Sequence, residues 1–268
     1  MSAPTNLFVF AIPLMPRQRA GDWHRVLGNL RATLRSVLNQ TDPNFLVIIA
    51  TSDSIDLPEL RDPRIQILPV PQNNAVELEA DSQPSSMRDK LYKQGVLATH
   101  ANALGAGYLM QTDADDLVSN RLVAFVRVNP HPAGYAIRQG YAMDQASAKI
   151  LPCPSEVIQV DGFDTYCGTS IILTLGAAAN PNAYGPDFVA GMNHHVIRST
   201  MMKSGHPLLD IEAPMAVYLL NTGENITRLA GNMPEHIDFF HDVTMLVRAH
   251  GVAMTEAQRE EFGLAASR

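Results

Sequence analysis

The chain has 268 residues, 46% of them hydrophobic and 18% charged, with 20 Lys+Arg against 27 Asp+Glu and a formal net charge of −7. That length allows one large domain or two small ones, and the apolar fraction excludes an intrinsically disordered protein. An acidic chain with no basic run is unsuited to nucleic acid, yet its basic residues are 16 Arg to 4 Lys, a set suited to local anion sites.

Leu7 to Ile12 is a continuous apolar run closed by Pro13, the pattern of a buried parallel strand. No basic residue precedes it, so it reads as a strand rather than the core of a signal peptide. Trp23, Val26, Leu27, Leu30, Leu34, Val37 and Leu38 share one helical face, predicting an amphipathic helix of about four turns ended by Asn39-Gln40-Thr41-Asp42-Pro43. Phe45–Ala50 and Ile65–Val70 read as the second and third strands, and Gln72–Ser86 as a polar surface loop. Leu91, Val96, Leu97, Ala101 and Leu104 predict a helix, and Tyr108–Thr112 a fourth strand that runs into Asp113-Ala-Asp115-Asp116.

Beyond the acidic turn, a helix is expected from near Leu117. Strands are expected at Tyr135–Met143, Glu156–Val160, Thr169–Leu175 and Ala213–Leu220, with a helix from His194 to Lys203. The last forty residues read as helical, with a capping box at Thr255 and Gln258 and a stop at Gly263. The expected fold class is therefore α/β, an open mixed, mainly parallel sheet flanked by helices, with a helical C-terminal appendage. Ligands of such sheets bind at the carboxyl ends of the strands, where the acidic turn lies. Cys153 and Cys167 are too few for a disulfide framework or a four-thiolate zinc site and read as packing residues in a reducing compartment. No apolar stretch reaches the ~20 residues of a membrane span, so a cytoplasmic location is expected.

Three carboxylates in four residues repel one another unless a cation or solvent compensates. Asp113 and Asp115 can face one ligand while Asp116 anchors the turn, and hard oxygen ligands of this kind suit Mg²⁺ or Mn²⁺, completed by substrate phosphates. Arg17 and Arg19 lie just past the first strand, while Arg88, Lys90 and Lys93 enter the helix before the acidic strand, where cations meet phosphate oxygens.

Asn29-Leu-Arg-Ala-Thr-Leu-Arg-Ser-Val-Leu-Asn-Gln40, followed at the right spacing by Tyr108-Leu-Met-Gln-Thr-Asp-Ala-Asp-Asp116, resembles the GT-A-fold glycosyltransferases, in particular glycosyltransferase family 2 and a bacterial subgroup of it named for rhamnosyl transfer. The resemblance covers residues of about 5–125, is looser over 130–230, and is absent from the last helices. It implies a Rossmann-like GT-A domain over 1–230 (a nucleotide-sugar half to about 125, then an acceptor half), with helices of 231–268 packed on or beside it. It further implies a nucleotide-diphosphate-sugar donor, a glycan or other hydroxyl acceptor, and Asp115 with Asp113 at a Mn²⁺ or Mg²⁺ ion, Asp113 also facing the donor's ribose or sugar. Ile12, Pro13, Arg17 and Asp53 would border the nucleotide, with Arg88 and Lys90 at the diphosphate.

Inverting members of that family place a carboxylate pair ahead of a helix that a glycine closes. Here His194-His195 opens such a helix and Gly205 closes it, so His195 or His194 is the expected general base, with Asp187 as the carboxylate substitute. The family also often places a metal-binding His after the strand that ends at Leu220. Asn221 or Thr222 stands there instead, with Asn225 and Thr227 beyond. Two rivals remain at this point: a non-catalytic sugar-nucleotide or glycan-binding protein of the same fold, and an α/β metal-dependent phosphatase.

Overall fold

A computed structural model describes residues 6–71, 85–175, 193–224 and 234–264. Its first sheet has seven strands in the order β10-β6-β9-β4-β1-β2-β3. The strands are β1 (Phe8–Pro13), β2 (Phe45–Thr51), β3 (Ile65–Pro69), β4 (Tyr108–Gln111), β6 (Gly134–Ile137), β9 (Ile171–Thr174) and β10 (Leu209–Ile211). β3, β2, β1 and β4 run parallel, and β9 is inserted antiparallel between β4 and β6.

Both faces of the central strands β1, β2, β4, β6 and β9 are buried, so these strands are almost entirely apolar and successive side chains serve opposite layers, while the edge strands β3 and β10 are partly exposed. From β1, Phe8, Phe10 and Ile12 pack with Leu30 and Leu34 of α1 (Trp23–Leu38). Val9 and Ala11 pack with Leu97 and Ala101 of α2 (Ser85–Ala103) and with Ile197 and Met201 of α5 (His194–Lys203). Asp22 caps α1 by accepting from the backbone N–H groups of His24 and Arg25.

A second sheet, β12-β8-β7-β11-β5, is absent from the sequence reading. It comprises β5 (Leu117–Val118), β7 (Gly140–Asp144), β8 (Lys149–Cys153), β11 (Ala216–Leu220) and β12 (Val252–Ala253). The run expected as one strand over 135–143 breaks at Arg138-Gln139, so that β6 joins one sheet and β7 the other. The strand expected over 156–160 is a series of bends, and its role falls to β8. The residues after the acidic turn form β5, and the helix α3 begins only at Leu122 (Leu122–Val128). A four-residue helix, α4 (Phe163–Tyr166), packs against α5.

The C-terminal helices α6 (Pro234–His250) and α7 (Glu256–Glu261) are stitched to the second sheet: β12 pairs with β8, Arg248 with Asp144, and Arg121 with Glu261. The capping box at Thr255 and Gln258 is formed, and Gly263 takes φ +68 beyond the last turn. Among the described residues no helix is long and apolar enough to cross a membrane.

Candidate active site

The acidic turn leaves β4 at the carboxyl end of the parallel strands, as the alternation of strands and helices predicts. Two buckles hold it. Asp116 is fully buried and its carboxylate accepts from the Thr169 hydroxyl (2.6 Å), the Cys167 thiol (3.2 Å) and the Leu219 N–H (3.3 Å). Thr169 Oγ1 in turn accepts from the Asp113 N–H at 2.9 Å. Asp116 is thus the anchor of the turn, and Cys167 packs beneath it.

The second buckle explains the pattern in α1. Ser36 Oγ accepts from the Val118 N–H, Gln40 Nε2 donates to the Ser119 carbonyl, and Gln40 Oε1 accepts from the Val123 N–H. The Ser-x-x-x-Gln spacing of Ser36 and Gln40 therefore places polar groups where the chain leaving the acidic turn needs partners for its backbone, while Thr33 bonds back to the Asn29 carbonyl of its own helix.

Asp115 and Asp113 point elsewhere. Asp115 accepts from the Thr222 hydroxyl at 3.1 Å, so Thr222 rather than Asn221 meets the acidic turn after β11. Burial, then the charge of Asp113, push the Asp115 carboxyl up to about 6, against the Thr222 hydrogen bond and Lys90. Asp113 forms an ion pair with Lys90 at 2.5 Å. Burial alone would lower the Lys90 pKa, but Asp113 and the charges of Asp115 and Asp116 outweigh it and raise it.

The loop bearing Thr222 is clamped from both sides. Asn221, at φ +63, donates to Asp144, and Glu224 accepts from the backbone N–H groups of Gly21 and Asp22 at 2.9 and 2.8 Å. Gly223, at φ +82, leaves room for Arg25, whose guanidinium lies where a Cβ would stand.

His194 faces this group of charges. Burial, then the positive charge of Lys90, lower its pKa to about 4, with Asp113 opposing. At neutral pH it is an uncharged imidazole, a weaker base than an unperturbed histidine of pKa ~6.5. His195 is exposed, its ring centroid 5.7 Å from that of His194. Asp187, Asn225 and Thr227 lie outside the described residues.

The residues expected at the nucleotide divide. Arg17 and Asp53 come together: the Arg17 N–H donates to the Asp53 carboxylate at 3.0 Å, and with Gln18, Ser52 and Pro71 they line an open cleft of about 670 Å³. Asp53 is also held in an Asx-like turn, its N–H donating to Thr51 Oγ1. Ile12 is buried in the core, so only its backbone is available at the strand end, beside the equally buried Pro13. Arg88 is half-buried near the start of α2.

Lys93, expected with Arg88 and Lys90 where cations meet phosphate oxygens, is instead buried. It is 1% exposed and donates to the Leu14 carbonyl (2.7 Å) and Asp89 (2.9 Å), tying α2 to the end of β1. Burial lowers its pKa despite Asp89. Sequence reasoning missed the roles of Thr169, Glu224 and Asp144. Glu224 alone carried a signal, as a carboxylate beside a glycine after a strand.

Among the described residues no three His, Cys, Asp or Glu side chains gather as a metal cage. Two carboxylates with a hydroxyl beside them still fit a hard divalent cation that takes its other ligands from water and phosphate. Burial and, after it, the negative charge of Asp113 push the Asp115 carboxyl up, and a bound cation would offset both.

No protein-family model and no curated protein sequence matches the chain. Solved structures do. The chain is similar to S. aureus TarS residues 1–349 at 12% identity, covering 96% of this chain and 70% of that one, with a TM-score of 0.48. It is similar to a longer S. aureus TarS structure at 12% identity and TM-score 0.44, of which it spans 41%. A protein from Desulfovibrio desulfuricans G20 described as a nucleotide-diphospho-sugar transferase gives 11% identity over 88% of this chain and 96% of that one, at TM-score 0.36.

Proposed function

We propose that the chain is a metal-dependent glycosyltransferase that moves a sugar from a nucleotide-diphosphate donor to a hydroxyl acceptor with inversion. The observation that carries the reading is the acidic turn at the carboxyl end of β4. Its third carboxylate is consumed by structural hydrogen bonds, while Asp113 and Asp115 face Lys90, Thr222 and His194. The cleft beside Arg17 and Asp53, at the ends of β1 and β2, would take the nucleoside, and Lys90 the diphosphate.

Asp115 and Asp113 would hold Mn²⁺ or Mg²⁺, which when bound supplies Lewis-acid stabilisation of the departing diphosphate. Thr222 and the clamped loop around it orient Asp115. His194, whose pKa reflects Lys90 and Asp113 nearby, would accept the acceptor hydroxyl's proton as the new glycosidic bond forms. Its lowered pKa keeps it unprotonated at cellular pH, at the cost of basicity. Asp187 is the alternative base. The chemistry of a sugar-nucleotide donor suits a cytoplasmic location.

The test is thermal stability with UDP, GDP or dTDP, each with and without Mn²⁺. A ligand at a hundred times its Kd stabilises by about 2.7 kcal/mol. Asp115→Ala is expected to abolish the metal-dependent shift; a shift that survives makes the acidic turn structural. Nucleotide binding with no turnover on any sugar would favour the non-catalytic binding protein.

A further inference from the structure

Lys90 is the cation at the centre of the acidic turn. Its Nζ lies 2.5 Å from Asp113, in a pair whose side chains are 17% and 20% exposed, and its charge also acts on Asp115, Asp116 and His194. The pair has a built space. A methyl at residue 168 would come within 2.5 Å of the Asp113 carboxylate and 3.4 Å of Nζ, so Gly168 leaves open the volume that carboxylate and ammonium occupy. Gly168 opens the Gly-Thr-Ser segment that also anchors the turn through Thr169. The ammonium on Asp113 Oδ1 competes with a divalent cation for that carboxylate and repels it, and an ammonium so paired is held back from phosphate. Among the described residues no three His, Cys, Asp or Glu side chains gather here, so a divalent ion needs water or phosphate to complete its shell.

We propose that Lys90 is a displaceable counter-ion that couples the two ligands. A divalent cation takes Asp113, the Lys90 ammonium is released from it, and the freed ammonium pairs with an oxygen of an incoming diphosphate. Metal alone must displace Lys90 with no new partner for it, and diphosphate alone must do the same from the other side. Together they exchange one ion pair for two favourable contacts, so each raises the affinity for the other. The inference rests on the donor-site reading above, and it concerns the order and linkage of binding rather than the sugar transferred.

The experiment measures Mn²⁺ binding by electron paramagnetic resonance, alone and with inorganic pyrophosphate, for the wild type, Lys90→Met and Lys90→Gln. Both variants are expected to bind Mn²⁺ alone about tenfold more tightly than the wild type, and the Mn²⁺-loaded variants to bind pyrophosphate about tenfold more weakly. Mn²⁺ affinities within twofold of the wild type, or pyrophosphate binding unchanged by either substitution, would overturn the inference.

A measurement on the unmodified protein guards against folding defects in the variants. Among the four lysines, acetylation of Lys90 by acetic anhydride, read by peptide mass, is expected to rise several-fold with saturating Mg²⁺ and fall again when pyrophosphate is added. A constant rate would also overturn the proposal. Pyrophosphate carries no nucleoside or sugar, so linkage without turnover on any nucleotide sugar refutes the transferase reading alone, and turnover without linkage refutes this inference alone.

Discussion

Replacing Arg248 by Met tests whether the C-terminal helix is part of the site's scaffold. Asp144 is 0% exposed and accepts from Arg248 Nε at 3.0 Å and Nη2 at 3.3 Å, from Asn221 Nδ2 at 3.1 Å and from the Ser147 N–H at 3.0 Å. Burial would raise its pKa, but these partners, Arg248 foremost, hold it at about 2 against an ordinary 3.8. A shift of just under two pKa units corresponds to about 2 kcal/mol of stability. Removing one partner of a fully buried pair costs ~3–5 kcal/mol. Arg248 is 41% exposed and the Ser147 N–H and Asn221 still donate to Asp144 in its absence, so the expected loss at pH 7 is only a part of that stabilisation.

Because the folded pKa is depressed, this contribution is fully present above the unfolded value near 4 and fades as pH falls toward 2. Urea denaturation of wild type and variant at pH 7 and pH 3 is therefore expected to show a gap that is present at pH 7 and narrows at the lower pH. An equal gap at both values, or none at pH 7, would refute the assignment of the stability to this ion pair. Asn221 shares Asp144 and precedes Thr222, so the variant is also expected to weaken metal-dependent nucleotide binding several-fold.

Both cysteines are fully buried, and burial pushes the Cys153 thiol up to about 12 and the Cys167 thiol upward as well, so neither should react with Ellman's reagent until the protein is unfolded. Rapid reaction of one thiol in the native protein would contradict its placement. Gly134, at φ +114, has no room for a side chain, since a Cβ would stand 2.0 Å from the Ile172 carbonyl. Gly134→Ala is expected to cost about 3 kcal/mol or more, read as a loss of thermal stability. Asp116→Asn offers one acceptor oxygen where the carboxylate used two, so either the Leu219 N–H or the Thr169 and Cys167 donors face the amide NH₂, and the change is expected to destabilise by about 1–3 kcal/mol. It should lower metal-dependent nucleotide affinity by shifting the turn; an unchanged Tm would show that Asp116 does not anchor it.

The parallel half of the fold was legible because each of its signals is local. β1, β2 and β4 are uninterrupted apolar runs, α1 has one clean apolar face and a capping Asp, and the acidic turn follows its strand directly. Of the second sheet, only the strand expected over 213–220 was legible, as β11; the others are short and paired across long separations, as Ala216 with Val118. The apolar spacing of 156–160 imitates a strand, but Ser155 and Ile158 close a bend on themselves. In α2 the expected apolar face included Leu104, which is exposed, while Asp89, Lys93 and Gln94 are buried. A buried Lys is unreadable without knowing that the Leu14 carbonyl and Asp89 await it. At the site, the role of Asp116 as anchor was readable from alternation along the chain. The pairing of Lys90 with Asp113 was not, because it depends on how α2 meets the end of β4. The net charge of −7 gains meaning here, since part of it sits where one ammonium, and in the proposal a divalent ion, offsets it.

The most direct test is a panel of nucleotide-diphosphate sugars, dTDP-rhamnose among them, incubated with the full chain and scored for nucleotide release with Mn²⁺, with Mg²⁺ and with a chelator. The account predicts release from at least one donor that requires a divalent cation and disappears in Asp115→Ala. Release from every donor at the chelator-treated rate, or full activity in Asp115→Ala, would contradict it.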